Sequence, residues 1–228
     1  MNRSTHLVTG AGSGIGAVLV RKLLARGDSV VVTARSEERA ADLRAEHPGA
    51  IVLVADLADA AAVEALEPDL PEELDSVVHA AGVVELGKVG DLPTAVWQEQ
   101  VAVNLVAPAV LTRVALPALR RRRGTVVLVN SGAGLAAHPE WSAYAASKHG
   151  LRALADALRA EEQGRGVRVT SVFPGRTATP MQEKVHEQEG KEYDAADWIQ
   201  PATVAATILY VLDLPPDATI PDVSVRPR

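Results

Sequence analysis

The segment YAASK places a tyrosine and a lysine, Tyr144 and Lys148, four residues apart in an alanine-rich stretch. Side chains at positions i and i+4 of a helix share one face, with their Cβ atoms about 5–6 Å apart. A free tyrosine has a pKa of about 10, and one positive charge ~4 Å away stabilises the tyrosinate by about 4 kcal/mol at an effective dielectric of about 20. This energy is enough to bring the pKa close to neutrality. The spacing predicts a tyrosine that acts as acid and base with help from the lysine; a packed ring beside a solvated lysine is the alternative interpretation.

Six short runs rich in β-branched residues predict the strands that would position such a pair. They cover residues 5–10, 29–34, 50–55, 76–81, 125–130 and 167–173. Helix-length segments separate them, with the first helix expected to begin near Ala17 and long helices expected at 95–119 and 142–163. Apolar strands alternating with helices predict a doubly wound parallel sheet, a Rossmann-like three-layer α/β/α fold, in a single domain over residues 1–228. Ligands of such sheets bind outside the carboxyl ends of the strands, where we therefore look for chemistry.

The composition argues against several kinds of protein. The chain has no cysteine, which excludes disulfides and thiolate metal sites, and its six histidines lack HxH and HExxH spacing, so we expect no metal site. A net charge of −6 argues against nonspecific nucleic-acid binding. We expect no apolar stretch long enough to span a membrane and no signal peptide, and hence a cytoplasmic location.

Four consecutive arginines, Arg120 to Arg123, precede Gly124. A basic recognition patch is one interpretation. The preferred one is a helix C-terminus, where cations interact with the last carbonyl groups and the helix dipole and a glycine ends the helix.

The first predicted strand runs into the glycine-rich turn TGAGSGIG, Thr9 to Gly16. Glycines allow a tight turn and a close approach of the backbone to phosphate, and the N-terminus of the next helix offers N–H groups to a pyrophosphate. After the first strand of a βαβ series, this turn predicts a dinucleotide site.

The second strand ends with Ala34 at the position where a ribose-binding acid would lie, followed by Arg35. A guanidinium can instead bind a 2′-phosphate through its planar fork of donors, which favours NADP over NAD. A solvated arginine opening the next helix is the alternative. Asp56, after the third strand, is predicted either to accept from the adenine amino group or to cap a helix.

The later strands also end in small or hydroxyl residues. The fourth ends in HAAG at Gly82, the fifth in NSGAG with Ser131, and the sixth in PGRTAT, where Thr179 can bind a carboxamide. Serine and threonine at strand ends are often only caps. Because the carboxyl ends of parallel strands meet at one edge, these groups are expected to converge.

Together, the glycine turn, HAAG, VNL, Ser131, YAASK and PGRTAT resemble the short-chain dehydrogenase/reductase superfamily in its compact single-domain branch, in order from residue 5 to about residue 180. The resemblance implies a catalytic tetrad of Asn104, Ser131, Tyr144 and Lys148, with Asn104 positioning a water that relays protons through Lys148. The predicted cofactor site consists of Gly10, Ser13, Gly14, Ile15, Gly16, Arg35, Asp56, Leu57, Ala80, Ala81, Gly82, Tyr144, Lys148, Pro174, Gly175, Thr177 and Thr179.

Two departures from the family pattern stand out. His79 replaces an asparagine that supports the sheet, which we expect to be tolerated. The brief C-terminus, TIPDVSVRPR, is expected to contribute little to closing the substrate pocket or to an oligomer interface.

The predicted function is an NADP(H)-dependent oxidoreductase that interconverts a carbonyl and an alcohol. A cofactor-sensing regulatory protein and a sugar-nucleotide epimerase or dehydratase are the alternatives. The family implies a homodimer or homotetramer, with Ala153, Ala157 and Ala160 allowing close helix approach.

Residues from Thr177 to about Gln200 are expected to form a mobile lid. Residues 180–197 carry six acids against two bases, and Glu85 and Glu140 lie in loops predicted at the same edge. This negative field predicts a neutral, largely apolar small-molecule ketone or aldehyde, although Arg176 can offset it locally. Met181, Val185, Trp198 and Ile199 are expected to offer apolar contact area or to pack the lid onto the body.

Overall fold

One parallel sheet organises the computed structural model, which describes residues 3–228. Its strand order is β3-β2-β1-β4-β5-β6-β7. The strands are β1 Thr5–Thr9, β2 Ser29–Ala34, β3 Ile51–Val54, β4 Ser76–His79, β5 Thr125–Val129, β6 Arg168–Pro174 and β7 Asp222–Val225. Leu7 of β1 pairs with Val31 on one side and with Val77 on the other, so the chain order reverses between β1 and β4. The sheet confirms the predicted doubly wound parallel fold, and this reversal is the point where such sheets bind ligands.

Helices cover both faces of the sheet. They are α1 Gly14–Ala25, α2 Glu37–Glu46, α3 Ala60–Glu64, α4 Thr94–Val101, α5 Ala107–Arg122, α6 Ser142–Glu162, α7 Pro180–Glu189 and α8 Pro201–Leu212. Helix α1 begins at Gly14, three residues before the predicted start, so its first turn lies inside the glycine-rich segment. A π-helical turn, Ala102–Val106, joins α4 to α5.

Alternate strand residues feed two separate apolar cores. Leu7 and Val77 contribute to the core under α5 and α6, which includes Leu111 and Leu151. The neighbouring strand residues face the other side and pack with α1 and α8, as Val8 does with Leu19 and Ile208. Burial on both faces explains why the strands are continuous apolar runs instead of alternating patterns.

Strand β7 corrects the expectation for the C-terminus. Asp222–Val225 pairs in parallel with β6, and the Gly175 N–H donates to Val225 O at 2.7 Å. The chain after β7 therefore lies beside the carboxyl end of β6. The segment that was expected to contribute little completes the sheet and borders the ligand edge.

The continuous helix Thr94–Arg122 corrects a second expectation. It is 29 residues long and contains an 18-residue window with a mean hydropathy of 1.6, so by length and composition it passes the test for a membrane span. Its inner side chains, including Ala107, Leu111 and Leu119, are buried in the core under the sheet. Such a helix has the apolar character that a core position requires.

The arginine run closes α5 and binds neighbouring elements. Arg123 adopts the left-handed conformation at the C-cap, with φ 51°, and a Cβ on Gly124 would lie 2.7 Å from Leu74 O. Arg120 Nε donates to Glu162 Oε2 at 2.9 Å, and Arg122 pairs with Asp75 at 3.1 Å. These contacts support the helix-end interpretation.

Replacing Glu162 with glutamine should lower the free energy of unfolding by about 1–2 kcal/mol at pH 7, because Glu162 is buried and its partner Arg120 is partly exposed. The hydrogen bond from Arg120 lowers the pKa of Glu162, against a raising effect of burial. A lowered pKa stabilises the fold above the unfolded value of about 4.3, and this stabilisation is lost as the pH falls through the folded value. The difference between wild type and Glu162→Gln in urea unfolding should therefore shrink below about pH 4. Glu161→Gln, at the exposed neighbouring position, is the control; an equal loss there would contradict the assignment.

Candidate functional site

A cavity of about 1060 Å³ runs along the carboxyl edge of the sheet. All the predicted cofactor residues except Gly16 line it, as do Ser131, Tyr144 and Lys148. Asn104, the fourth predicted catalytic residue, lies behind the wall beside Gly82. The edge that the sequence pointed to is thus a single continuous cavity.

The glycine turn is shaped as a cradle for a phosphate group. Gly10 and Gly14 have φ values of 73° and 53°, and a Cβ on Gly10 would lie 2.6 Å from Ala81 N. A Cβ on Gly16 would overlap the carbonyl oxygen of Gly10, so a glycine here allows α1 to pack against the end of β1. Gly16 itself does not line the cavity. Ser13 forms no side-chain cap, which leaves the first N–H groups of α1 available to an anion. The turn therefore fits the pyrophosphate of a dinucleotide.

Two arginines border the cavity where β2 ends. Arg35 is exposed in its wall. Arg39, which sequence reasoning missed, comes from the first turn of α2, where Ser36 caps its backbone N–H. Its Nη2 donates to Gly12 O at 3.0 Å while Nη1 donates to Glu46 at 2.9 Å, so it ties α2 to the glycine turn. The end of the cavity beside β2 is thus bordered by exposed Arg35 and by Arg39, whose guanidinium is paired with Asp42 and Glu46.

Asp56 lines the cavity after β3. Its Oδ1 accepts from the Ala58 N–H at 2.9 Å in a local turn. The N-cap of α3 is Asp59, whose side chain accepts from Ala61 N and Ala62 N. The cap interpretation of Asp56 is therefore wrong, and the predicted contact to adenine stays a prediction.

Helix α6 brings the tyrosine and the lysine of YAASK into the cavity, both of them buried. Trp141 packs edge-on against Tyr144, with ring centroids 5.9 Å apart. Lys148 Nζ lies 5.7 Å from the centre of the Tyr144 ring and donates to Val129 O at 3.1 Å. The ammonium group is therefore held at the end of β5, beside the ring.

The ionisation of this pair differs from the expectation. Burial raises the pKa of Tyr144, and the Ser131 hydroxyl lowers it. Burial also lowers the pKa of Lys148 to about 8. Burial thus keeps Tyr144 protonated, as a general acid requires, and stabilisation of its tyrosinate by Lys148 stays a prediction.

Ser131 follows β5 and caps a short 3₁₀ turn. Its Oγ accepts from Ala133 N at 3.1 Å, so a backbone donor occupies one acceptor site of the hydroxyl. The hydroxyl proton remains available to a substrate oxygen in the cavity.

Asn104 lies in the π-helical turn and is fully buried. Its amide accepts from Val83 N and donates to Val83 O, both at 2.9 Å, and donates to Ser147 at 3.0 Å. The side chain joins the chain after β4 to α6, and π-helical turns are common at functional sites. The proton relay that the family resemblance implies for Asn104 stays a prediction.

His79 supports the sheet as a neutral group. Its Nε2 lies 2.8 Å from Thr112 Oγ1 of α5, and burial lowers the pKa of His79 to about 3. The ring therefore supplies a buried hydrogen bond between β4 and α5.

Asn130 is a positioning residue that sequence reasoning quoted without assigning a role. Its buried amide accepts from Ser131 N at 2.8 Å and donates to Lys148 O at 3.1 Å. One side chain thus fixes the end of β5 relative to the first turns of α6. In the sequence, the position of Asn130 directly before the candidate serine in the pattern NSG was the feature that could have indicated this role.

The predicted lid is tied at its base. Residues Thr177 and Ile199 form a parallel bridge, and Ala178 N donates to Ile199 O at 2.8 Å. Thr179 caps α7, and its Cγ2 lies 2.9 Å from the place where a Cβ on Gly14 would lie. Mobility of the segment stays a prediction.

The apolar residues of this segment divide into two groups. Met181 and Val185 line the cavity and pack beside Tyr144. Trp198 contacts His186 and Arg176, while Ile199 belongs to the core under α8. Of these four residues, the two that line the cavity thus belong to α7.

Several acids that suggested a negative field have cationic partners. Glu189 accepts two hydrogen bonds from Arg176, at 2.6 and 2.9 Å, and contacts Lys191 at 3.1 Å. Glu85 pairs with Lys184 at 2.7 Å. Lys184 and Lys191 are the two bases already counted in this segment, so Arg176 is the one added cation among these partners.

Comparisons with known proteins agree with this geometry. The family described as short chain dehydrogenase matches residues 4–190. Dehydrogenase/reductase SDR family member 11 from Bos taurus is 31% identical over 97% of this chain and 94% of its own length. D-beta-hydroxybutyrate dehydrogenase from Cupriavidus necator is 30% identical over 84% of this chain and 78% of its own length. The solved alcohol dehydrogenase of the archaeon Thermococcus sibiricus, complexed with 5-hydroxy-NADP, shares the fold with a TM-score of 0.86 at 22% identity, over 98% of this chain and 96% of that one.

Replacing Asn130 with alanine should lower kcat about 10- to 100-fold, because misplacing reacting groups by a fraction of an ångström is costly. The free energy of unfolding should fall by about 1–3 kcal/mol. Thr112→Val, which removes the buried hydrogen bond to His79 away from Tyr144, is the control: it should cost similar stability and leave kcat unchanged. Equal losses of kcat in the two variants would show that Asn130 acts only through stability.

Proposed function

Because the chain belongs to the short-chain dehydrogenase family, we propose that it is an NADP(H)-dependent oxidoreductase that interconverts a carbonyl compound and its alcohol. The observation that carries this proposal is the shared cavity, in which Ser131, Tyr144 and Lys148 lie on the same edge as the phosphate cradle. A binding protein needs the cradle alone. Buried Tyr144 beside the Ser131 hydroxyl adds groups that can donate hydrogen bonds and a proton to a substrate oxygen.

The residues act on the oxygen of the substrate. The Ser131 hydroxyl, whose Oγ accepts from Ala133 N, donates to the carbonyl oxygen and polarises it. Tyr144, kept protonated by burial, donates its proton as that oxygen gains negative charge. Lys148, held at Val129 O, stabilises the resulting tyrosinate by its charge. The nicotinamide cofactor supplies the hydride when it is bound.

The preference for NADP(H) over NAD(H) is supported by charge at the adenosine end. Arg35 and Arg39 border the cavity after β2, and Ala34 leaves the ribose-binding position without an acid. Arg39 is held by Gly12 O, Asp42 and Glu46, so within residues 3–228 Arg35 is the arginine of this end that forms no ion pair. Arginine forks match phosphate geometry.

For the substrate we propose a small, largely apolar carbonyl compound. Val84, Trp141, Met181 and Val185 supply apolar surface around Tyr144. The expectation that it is also neutral rested on the charge of residues 180–197, and the pairing of Glu189 with Arg176 weakens that argument. The relative from Cupriavidus necator is named for a hydroxy acid, D-beta-hydroxybutyrate.

Oligomeric state and location complete the proposal. Ala153, Ala157 and Ala160 all lie on the exposed face of α6, which suits close packing of a second copy in a homodimer or homotetramer. A cytoplasmic location suits a chain without cysteine.

Tyr144→Phe keeps the ring and removes the acidic proton. We expect kcat for carbonyl reduction to fall about 100-fold or more, with the dissociation constant of NADPH unchanged within about threefold. Lys148→Met should weaken both turnover and NADPH binding, since the family resemblance also gives this residue the nicotinamide ribose. Steady-state NADPH oxidation and fluorescence titration measure these effects. Tyr210→Phe, on the exposed surface of α8, is the control, and wild-type turnover in Tyr144→Phe would refute the proposed acid.

Arg35→Ala should raise the dissociation constant of NADPH about 10- to 150-fold, the value of a charged hydrogen bond to phosphate, and leave that of NADH nearly unchanged. Arg39→Ala should weaken both cofactors, and NADPH more, because Arg39 also supports the glycine turn. Arg44→Ala, in the exposed last turn of α2, is the control. Equal binding of NADH and NADPH by the wild type would remove the role given to Arg35.

A further inference from the structure

Arg226 lies in the wall of the cavity, directly after β7. Its Nη1 is 2.9 Å from the place where a Cβ on Gly132 would lie. A side chain at position 132 would have to displace the guanidinium from this place. The adjacent α-carbons of Ser131 and Gly132 are ~3.8 Å apart, so the cation lies close to the position proposed for the reacting carbonyl.

The backbone around Arg226 fixes its position. Val225 O accepts from Gly175 N at 2.7 Å, and Pro227 Cδ lies 2.8 Å from the place of a Cβ on Gly175. Arg226 is thus anchored on both sides against the end of β6. Its side chain reaches across that end to the turn after β5.

The neighbouring acids do not neutralise Arg226. Asp222 contacts Arg159 at 3.7 Å, and Glu189 is bound to Arg176 and Lys191. Within residues 3–228, Arg226 itself forms no ion pair. Glu99 is a further acid in the cavity wall, and it opposes the accumulation of several negative charges. The local charge therefore suits a single anionic group.

The cofactor phosphates do not account for this cation. The strand order places β5, whose following turn the Arg226 guanidinium reaches, two strand spacings from β1 and three from β2, or about 10 and 14 Å at ~4.8 Å per spacing. Arg35 and Arg39 at β2 are the cations of the adenosine end. Arg226 lies instead beside Ser131 and therefore faces the substrate.

We propose that Arg226 binds a carboxylate of the substrate, an inference that rests on the proposed function. The substrates would then be keto acids or hydroxy acids whose remaining part is apolar. A guanidinium fork matches the two oxygens of a carboxylate. Its closeness to Ser131 requires the carboxylate to lie only a few bonds from the reacting carbonyl. This assignment replaces the neutral substrate expected from the sequence.

Matched acid and methyl ester pairs test the assignment: pyruvate, acetoacetate and levulinate against their esters, with NADPH, at low and high salt. The ratio of kcat/KM for acid over ester should exceed one at both salt levels for at least one pair. Arg226→Met should lower that ratio about 10- to 100-fold. Arg228→Met, with the same change of charge at a residue outside the cavity wall, should retain it.

A binding measurement separates this inference from the proposed activity. With NADP⁺ present to prevent reduction, and again without cofactor, calorimetry should show tighter binding of the acid than of its ester, and Arg226→Met should abolish the difference. Such binding without NADPH oxidation by any compound would refute the proposed activity and uphold the carboxylate site. Equal binding of acid and ester by the wild type, or a loss of both in Arg226→Met, would overturn the inference and leave Arg226 a packing role against Gly132.

Discussion

The buried amide of Asn130 fixes the geometry on which the candidate chemistry depends. It bonds the backbone of Ser131 at the end of β5 and the backbone of Lys148 in α6. The Lys148 Nζ also donates to Val129 O of this strand. Apolar packing between strand and helix tolerates small sliding movements, whereas directional hydrogen bonds do not. Tyr144, between the two anchor points in the sequence, is oriented by the same contacts. Asn104 forms comparable hydrogen bonds to Val83, after β4, and to Ser147 of α6, and so joins these two elements.

Burial and charge act together at this site. Removing Tyr144 and Lys148 from water favours their neutral forms. At neutral pH the Tyr144 phenol is therefore protonated, and Lys148 loses its proton more easily than an exposed lysine. Two arginines at the edge of the cavity differ in their acidic partners. Arg176 is bound to Glu189, whereas Arg226 lines the cavity and forms no ion pair among residues 3–228.

The sequence carried most of the fold because strands buried on both faces are continuous apolar runs, as in SVVVTA of β2. It failed at β7, where DVSV alternates between exposed and half-buried residues at the sheet edge, because four residues are too few for this alternation to stand out. Local motifs identified Ser131 and Tyr144. Arg39 and Arg226 escaped because their places in the cavity are set by contacts to Gly12 and Gly132, far away in the chain. The sequence also could not show that Arg176 binds Glu189, because that pairing is set by folding.

The strand order also separates two kinds of specificity. The adenosine end is built by residues 10–58, and the end beside Tyr144 by residues 82–226. Substitutions that far apart, with no shared partner, combine additively in free energy. Under the proposed function, cofactor choice at Arg35 and substrate choice at Arg226 would therefore change as two separate traits.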